Sequence, residues 1–474
     1  MHNINIYIYS TMKIKMSHCN KKTTTTKNMA SLQWQTPIKI GSHICPNRLL
    51  KSALTEGLAS PENRVTNRHI RLYEKWGQAG IGLIISGNIV CDRRYLERAG
   101  NVAIDLEYPH TYDGLQREML RKWAKVSKAG GSIFIGQVSN AGLKVNQYTV
   151  DLTVGPNAGP AGVIPKGSTR KRSGLEMPAE ARACTVDDFD LFVKKWVHTA
   201  KVLNECGWDG MQVHAAHGYL VCSLLSPTTN KRTDMYGGSL ENRARLLLRI
   251  LRGIRNVVLP NFIVSVKIHC SDLDDNGFKW KECAEVLSWL DQENLVDLVE
   301  FSGDFGRAMR ASRGVVVGDN APEGTFVPES LKTTWFADRV RAIRLTKKAG
   351  KVKLCVTGGY VHGYQLEDTI KTDLADMVGI GRPACIAIDD VGHRFKEDTE
   401  ESTKIWRDAP QNFSNQMWLY HNFLNIGNGL GYDYEISIDK ASEIHGQYHL
   451  DWALEYRKTM VDNGSGIGFV SSKL

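Results

Sequence analysis

Eight short apolar runs, rich in β-branched residues, lie between residues 48 and 382. In chain order they read RLLKSAL (48–54), IGLIISGN (81–88), SIFIGQVS (132–139), GMQVHAA (210–216), FIVSVKIH (262–269), LVDLVEFSG (295–303), VKLCVTGG (352–359) and ADMVGIGR (375–382). Runs of this length and composition are typical of buried strands. In segments between them, such as 189–206 and 241–258, large apolar residues recur every third or fourth position, which predicts amphipathic helices.

The alternation of strand and helix predicts a parallel sheet with right-handed crossovers, and eight such units close into a barrel. An open doubly wound sheet is expected to carry a GxGxxG turn after its first strand, and this chain has none there. We therefore predict an α/β protein whose (β/α)₈ TIM barrel occupies residues 31–398. Residues 1–30 are predicted to be a disordered tail, and 399–474 a short helical C-terminal extension that packs on the outside of the barrel through Trp418, Leu419, Phe423 and Leu424.

The composition excludes several classes of protein. The ten cysteines are scattered singly without a CxxC spacing, so neither a disulfide framework nor a zinc or iron–sulfur site is expected. No run approaches the roughly 18 apolar residues of a membrane span, and no signal peptide is recognisable. We therefore expect a soluble, cytoplasmic protein with no membrane partner. Mitochondrial import is the less favoured alternative, because the first 30 residues lack acidic residues but also lack arginine.

The net charge of +9 does not indicate a nucleic-acid partner, because five lysines and no acidic residue lie in the first 30 positions. The one dense basic run, KGSTRKR at 166–172, lies in a Gly- and Pro-rich stretch that is typical of a solvated loop. We expect a small-molecule substrate, no nucleic acid, and leave a homo-oligomer open.

Two glycine turns follow the seventh and eighth runs, at the barrel end where active sites form. Gly358-Gly359 and Gly381-Arg382 match a phosphate site, since backbone without Cβ lets N–H groups approach an anion and arginine adds a bidentate donor. The alternative is that these glycines only turn the chain into the helices that follow.

Three polar rings, His214, His217 and Tyr219, fall within six residues at the end of the fourth run. Burying them is costly unless they bind a ligand. A metal site is conceivable, but no carboxylate or further ligand stands at a matching spacing, so we predict no metal.

The stretch from 214 to 250, HAAHGYLVCSLLSPTTNKRTDMYGGSLENRARLLLRI, resembles the signature of the old yellow enzyme family of NAD(P)H:flavin oxidoreductases. Further segments support the resemblance in order along residues 32–395: PNRLLKSALTEG (46–57), IGLIISGNIVCDRR (81–94), GQVSNAG (136–142), VTGG (356–359) and VGIGRP (378–383).

The resemblance implies bound FMN, NAD(P)H as the reductant, and an α,β-unsaturated carbonyl or similar compound as the acceptor. It implies that His214 and His217 bind the acceptor's carbonyl oxygen and that Tyr219 delivers a proton. Lys267 could instead pair with a neighbouring carboxylate, and Thr55 could cap a turn. The implied FMN-binding residues are Thr55, Gln137, Lys267, Gly358, Gly359, Gly381 and Arg382.

The chain departs from the family pattern in two loops. Asn140 and Leu143 stand where many relatives have histidine and arginine, and Asp304 ends a Ser-Gly-Asp sequence that is more usually Ser-Gly-Gly. A basic loop with Arg307, Arg310 and Arg313 follows, and either shapes acceptor choice, meets the phosphates of the nicotinamide cofactor, or is simply solvated.

Two other functions remain open. Another FMN barrel, such as a tRNA dihydrouridine synthase, would need a catalytic cysteine and an RNA-binding appendage that the sequence does not show. A catalytically silent flavin-binding barrel is the second alternative, and the intact set of His214, His217 and Tyr219 argues against it.

Overall fold

A computed structural model of the chain describes residues 32–145, 158–159, 182–272, 276–303, 327–331, 336–398 and 416–430, with scattered positions between 440 and 458. The tail at 1–30, the basic run at 166–172 and the arginine loop at 307–313 lie outside these residues, as do the side chains of Leu143, Trp418 and Leu419. The expectations for them stay predictions, and so do the domain bounds 31–398 and 399–474.

Eight parallel strands form a closed barrel. Each strand pairs with the next in chain order, and the last pairs with the first through Val378 and Leu49, which closes the ring. Each predicted run overlaps one of these strands, so the predicted (β/α)₈ fold is confirmed. The strands are β1 (Leu49–Lys51), β2 (Leu83–Val90), β3 (Ile133–Ser139), β4 (Gly210–Ala215), β5 (Ile263–His269), β6 (Leu298–Ser302), β7 (Lys353–Thr357) and β8 (Met377–Ile380).

Helices surround the barrel. The helices predicted over 189–206 and 241–258 begin at Val186 and Leu240, three residues and one residue earlier than expected. They begin there because Thr185 and Ser239 act as N-caps, and their side chains accept hydrogen bonds from backbone N–H groups of the first turn. The described helices are α1 (Asn67–Gln78), α2 (Gly114–Ser127), α3 (Val186–Glu205), α4 (Leu220–Leu225), α5 (Leu240–Arg255), α6 (Trp280–Gln292), α7 (Ala337–Leu345), α8 (Gly363–Lys371), α9 (Arg382–Ile386), α10 (Val391–Glu397) and α11 (Gln416–Gly427).

An aliphatic cluster closes the N-terminal end of the barrel. A hairpin of Ile38–Ile40 and His43–Cys45 lies across this end, and its apolar side chains pack with inward-facing residues such as Leu50, Leu83 and Ile133. Burying an aliphatic side chain of this size stabilises the fold by about 1.5–3 kcal/mol. Polar side chains inside the barrel therefore lie towards the other end, the C-terminal ends of the strands, which we call the mouth.

The C-terminal part of the chain packs on the barrel and reaches the mouth. Phe423 of α11 packs edge-on against Trp76 of α1, with ring centroids 5.7 Å apart, so the helix expected around Phe423 and Leu424 is present. Further along, Tyr448 and Trp452 donate hydrogen bonds to backbone carbonyls of Gly57 and Ala59, in the loop after β1. In the part of the chain that the structure describes, no helix is long and apolar enough to cross a membrane.

Candidate active site

A layer of six polar side chains fills the barrel between the aliphatic cluster and the mouth. Its centre is Glu300 of β6, which is fully buried. Glu300 accepts hydrogen bonds from Ser52 Oγ at 2.5 Å, Gln212 Nε2 at 3.0 Å and Thr357 Oγ1 at 2.7 Å. We call this group the polar layer, and its members are Ser52, Gln137, Gln212, Lys267, Glu300 and Thr357.

Glu300 is held in its charged form by this layer. Burial by itself would raise the pKa of Glu300, but the charge of Lys267 and the three donated hydrogen bonds outweigh it and lower the pKa. Lys267 Nζ lies 3.0 Å from Glu300 Oε1, and the two residues are register partners on β5 and β6. Lys267 therefore pairs with a carboxylate, and whether it also contacts FMN stays a prediction.

Both FMN-binding residues expected inside the barrel, Lys267 and Gln137, belong to the polar layer. Lys267 Nζ also donates to Ser52 Oγ at 2.7 Å, so its contacts to Ser52 and Glu300 engage two of the three ammonium protons. Gln137 Nε2 donates to Gln212 Oε1 at 2.7 Å. The network fixes both side chains in place, and their role towards a flavin stays a prediction.

The three predicted rings lie together at the mouth. The His214 ring centroid is 5.0 Å from that of His217 and 4.5 Å from that of Tyr219. His214 Nδ1 accepts a hydrogen bond from the backbone N–H of Ala216 at 3.2 Å, which leaves Nε2 as the protonated nitrogen of the neutral ring. Desolvation lowers the pKa of His214 far below its usual value and that of His217 to about 3. Both imidazoles are therefore neutral N–H donors at physiological pH.

A left-handed turn orients the second histidine. His217 has φ 59° and the following Gly218 has φ 76°. A non-glycine residue in this region costs on the order of 1 kcal/mol or more, and such strain is common at functional sites. His217 Nε2 lies 2.9 Å from Ser302 Oγ at the end of β6, and this contact holds the ring across the mouth.

Tyr219 stands at the start of α4 beside an acidic residue that sequence reasoning missed. Burial, and then the charge and hydrogen bonding of Glu97, raise the pKa of Tyr219 well above its usual value, so the phenol keeps its proton. Glu97 Oε2 also accepts from Thr55 Oγ1 at 2.7 Å and Asn88 Nδ2 at 2.5 Å. Thr55 thus bonds to Glu97 through its hydroxyl, at the edge of the mouth.

Beside Tyr219 and Glu97, a guanidinium cation stacks on an aromatic ring from a distant part of the chain. The Arg98 guanidinium lies 3.4 Å from the ring centroid of Tyr420 on α11. Burial raises the pKa of Tyr420 to about 12. No periodicity or motif links residues 98 and 420, so only the fold could bring them together.

The two predicted phosphate turns lie side by side. Thr357 of β7 and Gly379 of β8 are register partners, so the turn that follows each strand leaves the barrel at the same edge. Gly358 and Gly359 have φ 134° and 84°, where glycine is strongly preferred. A Cβ on Gly381 would meet only Leu54, at 3.8 Å. Arg382 is exposed and begins α9, directly after the second turn.

The mouth also contains buried polar atoms that suit a polar ligand. Asn88 Oδ1 and Ser139 Oγ are buried and have no hydrogen-bond partner among the residues that the structure describes. Leaving such an atom unsatisfied costs about 1–3 kcal/mol. These acceptors, the neutral imidazoles, the Lys267 ammonium and the glycine turns with Arg382 form a donor and acceptor set that fits FMN. Within the described ranges, no group of three His, Cys, Asp or Glu side chains is placed to hold a metal ion.

Comparison with known proteins agrees with this geometry. Residues 35–401 match the NADH:flavin oxidoreductase / NADH oxidase family. An NADH-dependent flavin oxidoreductase of Aspergillus parasiticus is 30% identical over 348 residues, which cover 72% of this chain and 73% of that protein. A probable NADPH dehydrogenase of Candida albicans is 33% identical over 230 residues, covering 48% of this chain and 54% of that protein.

The fold is also similar to that of solved old yellow enzyme homologues. Morphinone reductase superposes with a TM-score of 0.61 at 21% identity, over 80% of this chain and 94% of that one. The sequence match over most of the barrel, together with this fold, confirms the resemblance read from residues 214–250 and the cofactors that it implies. The chain belongs to the NADH:flavin oxidoreductase / NADH oxidase family, whose members are oxidoreductases that use FMN and NAD(P)H.

Proposed function

We propose that the protein is an ene-reductase that passes the electrons of NAD(P)H through FMN to an α,β-unsaturated carbonyl compound. The observation that supports this proposal is the cluster of three rings at the mouth of the barrel, in which the His214 centroid lies 5.0 Å from that of His217 and 4.5 Å from that of Tyr219. FMN, when bound and reduced, supplies the hydride for the alkene. Gln137, Lys267 and Thr55 would hold its ring, and the glycine turns with Arg382 its phosphate.

The two histidines act on the acceptor's carbonyl oxygen. As the alkene is reduced, negative charge develops on that oxygen, and preorganised N–H donors stabilise it. His214 presents Nε2–H, because its Nδ1 accepts from Ala216, and His217 is oriented by Ser302. Each donor of this kind typically contributes about 3–4 kcal/mol of transition-state stabilisation.

Tyr219 protonates the α carbon of the acceptor. This step needs an acid that keeps its proton at neutral pH, and the raised pKa of Tyr219 meets that need. Glu97 fixes the hydroxyl from the side of the loop after β2, and Thr55 and Asn88 fix Glu97 in turn.

The proposal is tested first by colour. The purified protein should be yellow with an absorption maximum at about 450 nm, lose the colour with NADPH or NADH without oxygen, and regain it when cyclohexenone is added. A folded protein that cannot be loaded with FMN would refute the proposal. A protein that takes FMN but passes electrons to no enone, nitroalkene or quinone would be a flavin-binding barrel without turnover.

The role of Tyr219 is tested by Tyr219→Phe, which removes only the hydroxyl. We expect the alkene half-reaction to slow by about 10²–10⁴-fold, because general acid catalysis contributes that much, and the flavin-reduction half-reaction to change little. Stopped-flow absorbance measures the two half-reactions separately. The control is Tyr364→Phe on the half-exposed α8 tyrosine, which should leave both rates unchanged. Equal slowing of both half-reactions by Tyr219→Phe would contradict the assignment.

A further inference from the structure

A thiol, an imidazole and a carboxylate stand in series beside the mouth. Cys222 Sγ of α4 lies 3.2 Å from Nδ1 of His269, the last residue of β5. On the far side of the ring, His269 Nε2 lies 2.7 Å from Asp272 Oδ1. This order and these distances are those of a cysteine nucleophile, its base and the group that orients the base. None of these three residues belongs to the polar layer or to the cluster of His214, His217 and Tyr219.

The carboxylate is fixed in its orientation. The backbone N–H of Phe278 donates to Asp272 Oδ2 at 2.8 Å, and Ser226 Oγ donates to the same oxygen. A Cβ on Gly277 would lie 2.4 Å from Asp272 Cβ, so glycine is needed there for the side chain to take this position. The carboxylate can therefore hold the imidazole in one orientation.

The sulfur of Cys222 has two polar contacts. The backbone N–H of Gly218 donates to Cys222 Sγ at 3.1 Å, in addition to the contact with His269. Burial alone would lower the pKa of His269, but the charge of Cys222 and the hydrogen bonds with Asp272 and Cys222 outweigh it and raise the pKa. The neighbouring titratable group, His217, stays neutral because desolvation lowers its pKa to about 3. The arrangement thus suits transfer of the thiol proton from Cys222 to the imidazole of His269.

Another cysteine on the outer side of the barrel offers a contrast. Cys206 follows α3 and is 2% exposed, compared with 5% for Cys222. Burial raises the pKa of the Cys206 thiol, which makes it a poor nucleophile. Because the two cysteines are almost equally buried, a difference in their reactivity would come from the groups around the sulfur.

We propose that Cys222, His269 and Asp272 form a nucleophilic triad and that Cys222 is a site of covalent modification by soft electrophiles, including α,β-unsaturated carbonyl compounds. The Sγ–C bond forms at the β carbon as the C=C π bond breaks, and the electron pair passes to the α carbon and the carbonyl oxygen. His269 takes the thiol proton on Nδ1 and gives it to the α carbon, which leaves the imidazole neutral as before. The product is a thioether, and no change in net oxidation state occurs.

This reaction is separate from the proposed reductase activity, since it needs neither hydride nor NAD(P)H. The test therefore uses the FMN-bound protein without a nicotinamide, treated with a limiting amount of N-ethylmaleimide at pH 6.5. Intact-mass measurement should show one adduct, and peptide mapping should place it on Cys222. Cys222→Ser should abolish this first adduct, and the matched control Cys206→Ser should retain it. A first adduct on any other cysteine, or none, would overturn the proposal.

The contribution of His269 is tested by His269→Asn. The variant lacks the base that takes the thiol proton, so we expect it to react about 10²–10⁴-fold more slowly than the native protein. An unchanged rate would overturn the triad.

A second measurement needs no variant. Cyclohexenone, added in the same way, should give a slower adduct at the same residue.

Discussion

At the scale of single residues, the buried charges of Lys267 and Glu300 in the site neutralise each other. Lys267 could be recognised from the sequence, because it lies in a strand at the position that the family resemblance indicates. Glu300 could not, because a glutamate in an apolar strand carries no sign of which lysine will lie beside it. Parallel pairing of β5 and β6 places the two side by side, and Ser52, Gln212 and Thr357 complete the carboxylate's hydrogen bonds.

The importance of this pair is tested by Glu300→Gln. The change keeps the shape of the side chain but leaves the Lys267 ammonium buried without its counter-charge, which typically costs about 3–5 kcal/mol. Urea unfolding of the protein without FMN measures the loss in free energy of unfolding. The control is Glu293→Gln, whose partner Arg252 lies 2.7 Å away on the surface, and its expected loss is below about 1 kcal/mol. Similar losses for the two variants would show that Lys267 and Glu300 are not mutually dependent.

Glu97 is a second residue that the sequence did not reveal. The sequence indicates Thr55 and Tyr219 separately, one after the first strand and one after the fourth. The structure joins Thr55 to Glu97 by a hydrogen bond of 2.7 Å and places the phenol of Tyr219 next to the same carboxylate. A carboxylate in a loop usually indicates only a solvated surface, so its place in the site depends on the path of that loop.

At the scale of elements, strand spacing near the phosphate turns depends on one glycine. Gly379 of β8 faces Thr357 of β7, and a Cβ at this position would lie 1.8 Å from Thr357 Oγ1. That hydroxyl already donates to Glu300 at 2.7 Å. The absence of a side chain on β8 therefore allows the polar layer and the turn at Gly358-Gly359 to form together.

Gly379→Ala should disturb both the polar layer and the turn at Gly358-Gly359. Thr357 has to move away from Glu300, or β8 from β7, so we expect a loss of about 1–3 kcal/mol in stability, as for overpacked cores, and weaker retention of FMN. Thermal unfolding and the FMN content after gel filtration measure the two effects. Gly114→Ala is the control, because a Cβ there has no neighbour within 4 Å and alanine favours a helix. Full retention of FMN at normal stability in Gly379→Ala would contradict this account.

The strand bounds show what periodicity can and cannot predict. The apolar run 48–54 is a barrel strand only over Leu49–Lys51. The backbone N–H of Ser52 still donates to the Ile380 carbonyl, and its hydroxyl donates to Glu300. In the sixth and seventh runs the strands also stop before the last predicted residues, at Ser302 and Thr357. The residues beyond the strand ends lie at the mouth, and the apolar pattern of a run does not show where its strand stops.

At the scale of the whole molecule, a set of neutral histidines makes the fold sensitive to acid. Desolvation lowers the pKa of each of them below the usual 6.5. Between roughly pH 4 and 6.5 the unfolded chain therefore binds more protons than the folded one, and stability rises with pH in this window. His269 acts in the opposite sense, because its raised pKa contributes stability that is lost as pH rises. The acid-sensitive set is His69, His110, His198, His214 and His217.

We expect the midpoint of thermal unfolding to fall steadily as the pH is lowered from 6.5 to about 4.5. His69→Gln should make this fall less steep, because the pKa of the buried His69 is lowered to about 3. The exposed His393 provides the control, and His393→Gln should leave the slope unchanged. Differential scanning calorimetry across the pH range measures the slope separately from any loss of stability at neutral pH. A slope that His69→Gln does not alter would contradict this assignment.

The sequence predicted the barrel, the number and order of its strands, and the members of the ring cluster and the glycine turns. These features depend on local patterns: apolar runs, helical periodicity and one long family signature. Glu300, Glu97, Arg98 and Tyr420 depend on contacts between segments far apart in the chain, and no local pattern encodes them. The stack of Arg98 on Tyr420, 3.4 Å from its ring centroid, joins the second barrel loop to a helix that follows the barrel.

The hairpin across the N-terminal end has a kinetic consequence. Since Ile38, Ile40 and Cys45 pack with the aliphatic interior there, a molecule that reaches the polar layer enters and leaves through the opposite opening. The electron donor and the electron acceptor then share one entrance, and occupation by one delays arrival of the other. The electron donor and the electron acceptor should therefore compete for the site when either is present at high concentration. An excess of acceptor should lower the turnover rate instead of bringing it to a plateau.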